Sequence, residues 1–374
     1  MKILYLTDQT YLHGGVEKVL SQKANYLVEV AGYEVTIVTY NQKGRGPVYA
    51  FSEKIQFIDL GVNYEIAKSY FHPANLRRIT HHYKELSRIL KSLEPDVVVS
   101  CSYGPDFYFL PYLHRSVPKI KEFHSSRYFD HQVKGSWKDR LLKRWSAATE
   151  RKYDQIAVLN EDERPYYASK KVSVIPNPVE PSSLTVTGTA KKILAAGRIS
   201  PVKNFGVLID IFAAVHGEFP DWELHFWGED YVGTQGKLQD RIDQYGLTDY
   251  IRFMGTTTDL KNEMLNYSIY AMTSETECFP MVLLEALSVG LPVISYDSPT
   301  GPKHILTPGS DSCLIPYKNS AIFVAQLKEL MGDKELRIRM GANAKTNSHR
   351  FETAEVMKMW RNLFLSLQKP SWRK

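Results

Sequence analysis

Two acidic residues, Glu277 and Glu285, lie in the segment 274–287, which follows an apolar run. Pro280 suits the first turn of a helix, because the N–H that proline lacks is not needed there. The free N–H groups at such a helix start form an anion site. Carboxylates beside an anion site are useful when they accept hydrogen bonds from neutral groups, and sugar hydroxyls are such groups. For the pair alone, a helix-start acid and a surface acid remain the simpler interpretation.

Basic residues follow the run 192–197. Gly197 precedes Arg198, and Lys203 comes five positions later in the same loop. A rigid guanidinium and a mobile ammonium group suit the two phosphates of a nucleoside diphosphate. A solvated loop is an equally good explanation of these residues.

Two further candidates follow apolar runs in the first half of the chain. Gly14 and Gly15 would let the backbone approach a ligand closely, although a tight turn explains them nearly as well. Their spacing fits neither a dinucleotide-binding nor a Walker motif. His124 could hydrogen-bond a sugar hydroxyl or the reacting oxygen, although a single histidine is more often structural.

Alternating elements must position these residues. Short apolar runs rich in β-branched residues recur with helical patterns between them, which is typical of parallel sheets covered by helices. The first series is 2–7, 34–40, 56–60, 96–101, 120–124, 155–159 and 172–176, and the second is 192–197, 223–228, 251–255, 268–273, 292–296 and 312–315. We therefore predict an α/β protein with two doubly wound, Rossmann-like domains. Ligands of such sheets bind beyond the carboxyl ends of the strands, so two facing sheets would form a cleft.

A linker rich in proline and small polar residues, from Asn177 to Thr189, separates the two series. We place the first domain at 1–184 and the second at 185–351. Apolar residues at helical spacing after Phe351 predict a terminal helix, about 352–374, that packs back on the first domain.

Composition narrows the class of protein. The 374 residues are 43% hydrophobic and 24% charged, as in ordinary globular proteins. The three cysteines, Cys101, Cys278 and Cys313, are too far apart for a disulfide framework or a zinc site. No apolar run is long enough for a secretory signal or a membrane span, so we expect a cytoplasmic protein.

The positive charge is concentrated between Arg115 and Lys152, where eleven lysines and arginines stand against four acidic residues, in a chain whose net charge is +6. Within this region the segment 134–145 mixes cations with tryptophans and leucines, and as a helix it would be basic and amphipathic. Such a face could lie on an anionic membrane. Alternatively, Trp137, Leu141 and Trp145 pack on the first domain. No motif for binding nucleic acid is present.

Taken together, these motifs resemble the retaining glycosyltransferases of family 4, which have the GT-B fold. The resemblance spans nearly the whole chain. It rests on Glu277-x7-Glu285 with Phe279, on 290–294 (GLPVI), on Gly197-Arg198 with Lys203-Asn204, on 14–17 (GGVE) and on 175–178 (IPNP).

The resemblance implies a role for each matching residue. Arg198 and Lys203 would hold the donor diphosphate, and Glu285 the ribose of the nucleotide. Glu277 would contact hydroxyls of the donor sugar, and His124 would face that sugar near its anomeric carbon. The remaining contacts would be backbone groups of Gly14, Gly15, Gly197, Phe279, Pro280, Met281 and Val282. Cys278 departs from the glycine that the family often has there.

The expected reaction is transfer of a hexose or N-acetylhexosamine from a nucleotide sugar to a saccharide hydroxyl, with retention. The segment 297–303 is similar to that of members using UDP-sugars, which we favour over GDP- or ADP-sugars. The acceptor would be lipid-linked, with the enzyme on the inner face of the membrane. No Asp-x-Asp metal motif occurs, and we expect neither a metal nor another cofactor. A sugar-nucleotide epimerase, a phosphorylase and a non-catalytic binding subunit are the alternatives.

Overall fold

The computed structural model describes residues 1–65, 67–70, 72–129 and 136–368. It divides into two compact units, one of Met1–Pro178 with the segment from Thr353 onward, and one of Val179–Glu352. The first boundary therefore precedes the predicted position near residue 185. Val179 already belongs to the second unit, because its N–H donates a hydrogen bond of 2.8 Å to the carbonyl of Phe351.

The first unit is built on a seven-stranded sheet with the order β3-β2-β1-β4-β5-β6-β7. All neighbouring strands are parallel. The strands are β1 (Lys2–Thr7), β2 (Glu34–Thr39), β3 (Gln56–Asp59), β4 (Val97–Ser100), β5 (Lys119–Glu122), β6 (Gln155–Val158) and β7 (Val172–Val174). The helices are α1 (Gly15–Glu29), α2 (Pro73–Leu93), α3 (Asp106–Phe109) and α4 (Trp137–Glu150).

The second unit has a six-stranded parallel sheet with the order β10-β9-β8-β11-β12-β13. Its strands are β8 (Lys192–Ala196), β9 (Glu223–Trp227), β10 (Ile251–Gly255), β11 (Ile269–Met272), β12 (Val293–Tyr296) and β13 (Ser312–Ile315). Its helices are α5 (Phe205–His216), α6 (Gln235–Gln244), α7 (Leu260–Met264), α8 (Met281–Ser288), α9 (Ser320–Gly332) and α10 (Lys334–Ser348).

Both faces of the first sheet are covered, as the apolar strand sequences require. Along β1, Ile3 and Tyr5 belong to one buried cluster, whereas Leu4 and Leu6 belong to another. Successive side chains of a strand point to opposite faces, so one strand contributes to two cores.

The helix α11 (Thr353–Leu367) returns to the first unit. Its residues Val356, Met357, Trp360 and Phe364 are buried in the cluster that also contains Leu20 and Leu27 of α1. The first unit is therefore completed by a helix that follows the whole of the second unit in sequence.

Candidate functional site

The loop after β8 brings two predicted residues together. Gly197 adopts φ of +145°, and a Cβ atom placed there would lie 2.6 Å from Cε of Lys203. Only glycine leaves room for the lysine side chain to cross the loop. Its ammonium Nζ lies 2.5 Å from Oε1 of Glu277, and both side chains are mostly buried.

The backbone of Glu277 is fixed from the opposite side. Its N–H donates to the carbonyl of Pro299 at 3.0 Å, and the N–H of Thr300 donates to its carbonyl at 3.1 Å. The Glu277 carboxylate is therefore presented from a hydrogen-bonded segment.

Glu275, which the sequence analysis did not single out, ties this segment to the Lys203 loop. Its N–H donates to the carbonyl of Val202 at 2.8 Å. Its carboxylate accepts from Asn204 Nδ2 at 3.0 Å and from the Tyr317 hydroxyl at 2.6 Å. Burial alone would raise the pKa of Glu275, but the hydrogen bonds from Tyr317 and Lys318 bring it below its usual value. Its position, following strand β11 two residues before Glu277, is the signal that could have identified it.

Arg198 is exposed, and within the described part of the chain its guanidinium makes no hydrogen bond or ion pair. It lies next to Gly197 at the carboxyl end of β8. This free cation can receive an anion without first breaking an internal contact.

The predicted helix over the acidic segment is present, but its limits differ. Pro280 is the residue before the first turn, with ψ of 119°, and α8 covers Met281–Ser288. The helix ends before Gly290, which has φ of +71°. Proline at the boundary is extended rather than helical, which turns the incoming chain before the helix starts.

The side chains at this helix start serve mainly as support. Phe279, Pro280 and Met281 are buried, and Val282 is partly buried. The Phe279 ring packs edge-on against Phe351 with centroids 5.5 Å apart. What these residues can offer a ligand is therefore their backbone.

Glu285 is 3% exposed on α8. The Tyr270 hydroxyl, which donates to the Ala196 carbonyl at 3.2 Å, lies close to both predicted acids. Burial raises the pKa of Tyr270, and the charges of Glu277 and Glu285 raise it further. Both carboxylates are thus near the carboxyl end of β8.

The first unit holds the other predicted residues. Gly14 precedes α1, and a Cβ atom there would lie 2.1 Å from Oε2 of Glu17. The Glu17 carboxylate accepts a hydrogen bond from the Gln9 amide, whose oxygen accepts from the N–H of Tyr11 at 2.7 Å. A side chain at Gly14 would therefore have to displace the Glu17 carboxylate, whereas Gly15 is exposed as the first residue of α1.

His124 follows β5, and its side chain is 6% exposed. Its Nε2 lies 3.3 Å from Oε1 of Glu122. Burial lowers the pKa of His124 to about 4, although the neighbouring Glu122 opposes the shift. The imidazole is therefore neutral at physiological pH.

Glu122 belongs to a buried network that the sequence analysis missed. Both its oxygens accept from Lys23 Nζ, at 2.7 and 2.6 Å, and Cys101 Sγ donates to it at 3.2 Å. Lys23 was recognisable, because it is three and four positions from Leu20 and Leu27, within the apolar stripe of α1. A lysine in such a stripe requires a buried acid as its partner.

Three possible metal ligands meet here, since atoms of Cys101, Glu122 and His124 lie within 4.8 Å of one another. The donor set does not fit a divalent cation. The Lys23 ammonium group already contacts both oxygens of Glu122. Burial raises the pKa of the Cys101 thiol, which keeps it protonated, whereas metals bind the thiolate.

The basic segment forms α4 from Trp137, while Lys134 and Gly135 lie outside the described residues. Two of its apolar residues do not pack on the first domain, so that alternative is wrong for them. Trp137 is 65% exposed and Leu141 61%. Trp145 stacks on Tyr108 with ring centroids 4.1 Å apart, yet it is still 44% exposed. Only Thr149 and Glu150, at the end of the helix, are buried.

The cations of α4, Lys138, Arg140, Lys143 and Arg144, are exposed. By contrast, Lys119 and Lys121 of the same charged region are buried in β5, so part of the predicted local charge does not reach the surface. Among residues 1–65, 67–70, 72–129 and 136–368, no helix has the length and apolar composition needed to span a bilayer.

Both halves of the chain match models of glycosyltransferase families. Residues 177–347 match the glycosyl transferases group 1, and residues 13–183 match Glycosyltransferase Family 4. An exopolysaccharide phosphotransferase of Streptomyces coelicolor is 29% identical over 296 residues, which are 76% of this chain but only 30% of that protein.

A second relative is similar over its full length. The amylovoran biosynthesis glycosyltransferase AmsD of Erwinia amylovora is 25% identical over 97% of this chain and 99% of its own. The crystal structure of a TarM mutant from S. aureus, in complex with fondaparinux, alpha-GlcNAc-glycerol and UDP, matches with a TM-score of 0.79. That match covers 97% of this chain and 99% of TarM at 15% identity, which shows a shared fold.

Proposed function

Because this chain belongs to the glycosyltransferases of family 4 and has the GT-B fold, we propose that it moves a hexose or N-acetylhexosamine from a UDP-sugar to a saccharide hydroxyl. The observation that carries this proposal is the meeting of Lys203 and Glu277 at 2.5 Å, in the loop that also presents the exposed Arg198. A movable ammonium group, a free guanidinium and a carboxylate suit a diphosphate and a hydroxylated ring.

In this proposal Arg198 binds the diphosphate first, and Lys203 moves from Glu277 to join it. Glu277 is then free to accept hydrogen bonds from hydroxyls of the donor sugar. Glu285 accepts from the ribose, and the N–H groups at the start of α8 face the phosphate.

The sugar ring becomes positively charged as its bond to the diphosphate breaks, while the phosphate gains negative charge. Arg198, Lys203 and the start of α8 stabilise that charge, so we propose that no metal is required. The acceptor attacks from the face that the phosphate leaves, and the phosphate takes its proton. The anomeric configuration is thereby retained.

Uridine as the base is supported by the segment 297–303 and by the UDP bound to TarM. A lipid-linked acceptor is supported by the exposed face of α4, where Trp137, Leu141 and four cations meet solvent. Such a face suits an anionic bilayer, from which the enzyme would reach its acceptor.

Nucleotide binding tests the donor site directly. We expect UDP, at 100 times its dissociation constant, to stabilise the protein by about 2.7 kcal/mol, and GDP and ADP to stabilise it less. Arg198→Ala should abolish most of that gain without changing the stability of the free protein, since the Arg198 guanidinium makes no hydrogen bond or ion pair with any described residue. Arg339→Ala, an exposed position on α10, is the matched control. A flat response to all three nucleotides would contradict the proposal.

Product analysis tests the reaction. With a UDP-sugar and a saccharide acceptor, we expect a new glycoside whose anomeric proton has the coupling of the donor. An epimerised nucleotide sugar without any glycoside would identify an epimerase instead.

A further inference from the structure

Glu122 forms a buried bridge between Lys23 and the predicted site residue His124. It is 2% exposed, and it accepts hydrogen bonds from Lys23 through both oxygens. One of these oxygens, Oε1, also lies 3.3 Å from Nε2 of His124. The function proposed above assigns no role to these three residues.

The chemistry of the carboxylate determines which ring nitrogen carries the hydrogen. Burial alone would raise the pKa of Glu122, but Lys23, His124 and the hydrogen bonds from Lys23 and Cys101 bring it below its usual value. An ionised carboxylate can only accept hydrogen bonds. The nitrogen that faces it, Nε2, must therefore be the donor.

Only one of the two ring nitrogens of neutral His124 carries a hydrogen. Burial lowers its pKa to about 4, and Lys23 and Lys121 act in the same direction, whereas Glu122 opposes them. A neutral imidazole carries one hydrogen, and with that hydrogen on Nε2 the other nitrogen, Nδ1, has a free lone pair.

Lys23 cannot move away to release the carboxylate. It is fully buried, and its ammonium group lies 3.8 Å from the centroid of the Trp360 ring and 5.3 Å from that of Tyr5. Both rings attract the cation. The lysine, and with it the carboxylate, is held in one position.

We propose that Glu122 is a positioning residue, which holds His124 in the Nε2–H tautomer so that Nδ1 can accept a hydrogen bond from a hydroxyl of the substrate. Nδ1 is buried and has no hydrogen-bond partner within the described residues. The role of that bond in transfer rests on the proposed function, whereas the tautomer does not.

The tautomer can be read in the unmodified protein. With 15N-labelled histidine, long-range proton–nitrogen correlation spectra distinguish a protonated ring nitrogen from a bare one, and His124→Gln assigns the signals. We expect a protonated Nε2 and a bare Nδ1 at pH 7. A protonated Nδ1 would overturn the proposal.

Activity tests the consequence. Glu122→Gln would leave a buried ammonium group unpaired, so we combine it with Lys23→Met, which keeps the volume and suits the aromatic neighbours. Glutamine can donate or accept, and the double variant should therefore show both tautomers. We expect kcat to fall about 10–100-fold while KM for the donor changes less than about threefold.

Glu150→Gln is the matched control, because Glu150 is equally buried and pairs with Arg127 at 2.5 Å in the same unit. It should lower the melting temperature but preserve the tautomer, with kcat within about twofold. An unchanged kcat in the double variant, with both tautomers visible, would overturn the positioning role. If no UDP-sugar were used by the unmodified protein, the proposed function would fail while the tautomer assignment stood.

Discussion

Lys203 and Glu277 neutralise each other in the chain without ligand, and this pairing has consequences for each residue. If either side chain were removed, the other would remain as a mostly buried charge without a partner. The donor must therefore separate the pair and compensate both charges. A site of this kind is specific for ligands that carry an anion and hydroxyls together.

We predict that the effects of Lys203→Met and Glu277→Gln on the free energy of unfolding are strongly coupled. Each single variant should unfold at a lower temperature, whereas the double variant should recover part of the loss, with a coupling of about 0.5–3 kcal/mol. Thermal unfolding without ligand measures it. Each of the three variants should lose about 10²–10³-fold in kcat/KM, because catalysis needs both groups.

Lys191 and Asp221 provide the control, since they form an exposed pair in the same unit. The same cycle on this pair should give a coupling below about 1 kcal/mol and normal turnover. Additive effects at Lys203 and Glu277 would contradict the pairing.

The conformation of a loop between two elements can require glycine at a position where a side chain would collide with its neighbours. We predict that Gly197→Ala reduces transfer at least about tenfold, because the added methyl group would displace Lys203 from Glu277 and strain φ of +145°. Initial rates with saturating acceptor measure the effect. Gly236→Ala in α6 meets no atom within 4 Å, so it should leave activity unchanged, and equal losses in both variants would contradict the role of Gly197.

The exposed apolar residues of α4 lead to a prediction about membrane binding by this helix. The double variant Trp137→Ser, Leu141→Ser should lose binding to vesicles that contain anionic lipid, because these two side chains are the most exposed apolar groups of the helix. Flotation at low salt measures the bound fraction. Val232→Ser, a similarly exposed position in the second unit, is the control, and equal flotation of all three proteins would exclude α4 as the docking face.

The strands were predictable from the sequence because the burial of apolar residues largely determines where they lie. All seven strands of the first sheet and all six of the second were predicted from apolar runs, with ends that differ by at most two residues. The polar strand β5 was also predicted, although all four of its residues, Lys119–Glu122, are buried. Its alternation of charged residues indicates nothing about their partners: Glu122 accepts from Lys23 of α1, Lys121 donates to the Ser100 carbonyl of β4, and Lys119 donates to the Val117 carbonyl.

The candidate site was predictable only as a set of loops. The fixed order of strands places residues after β8 and β11 at one edge of a sheet, which is why Lys203 and Glu277 meet. The Glu122 network could not be derived, because pairing of Lys23 with Glu122 depends on how α1 crosses the sheet. Spacing along the chain contains no such information.

For the molecule as a whole we predict a loss of stability in mild acid that originates in the first unit. Burial lowers the pKa of both His82 and His124 to about 4. In the unfolded chain these groups bind protons near pH 6.5. Their contribution is therefore complete above pH 6.5 and is lost as the pH falls toward 4, by up to about 3 kcal/mol for each residue.

Urea unfolding at pH 7 and at pH 4.5 measures this effect. His82→Phe should reduce the difference in unfolding free energy between the two pH values, because phenylalanine does not titrate and the site is lined by Tyr40 and Phe109. The same substitution at the exposed neighbour His81 should preserve the difference. A difference that is equal in both variants would exclude His82 as its source.

The aromatic ring over Lys23 belongs to α11, so the residues that hold His124 in place are not all made at the same time. The ribosome must translate the whole of Val179–Glu352 between the sheet of the first unit and Trp360. At about 5–20 residues per second this takes on the order of 10–35 s. During that interval the nascent first unit exposes the apolar surface that α11 later covers, which makes it a target for chaperones while the second unit can already fold.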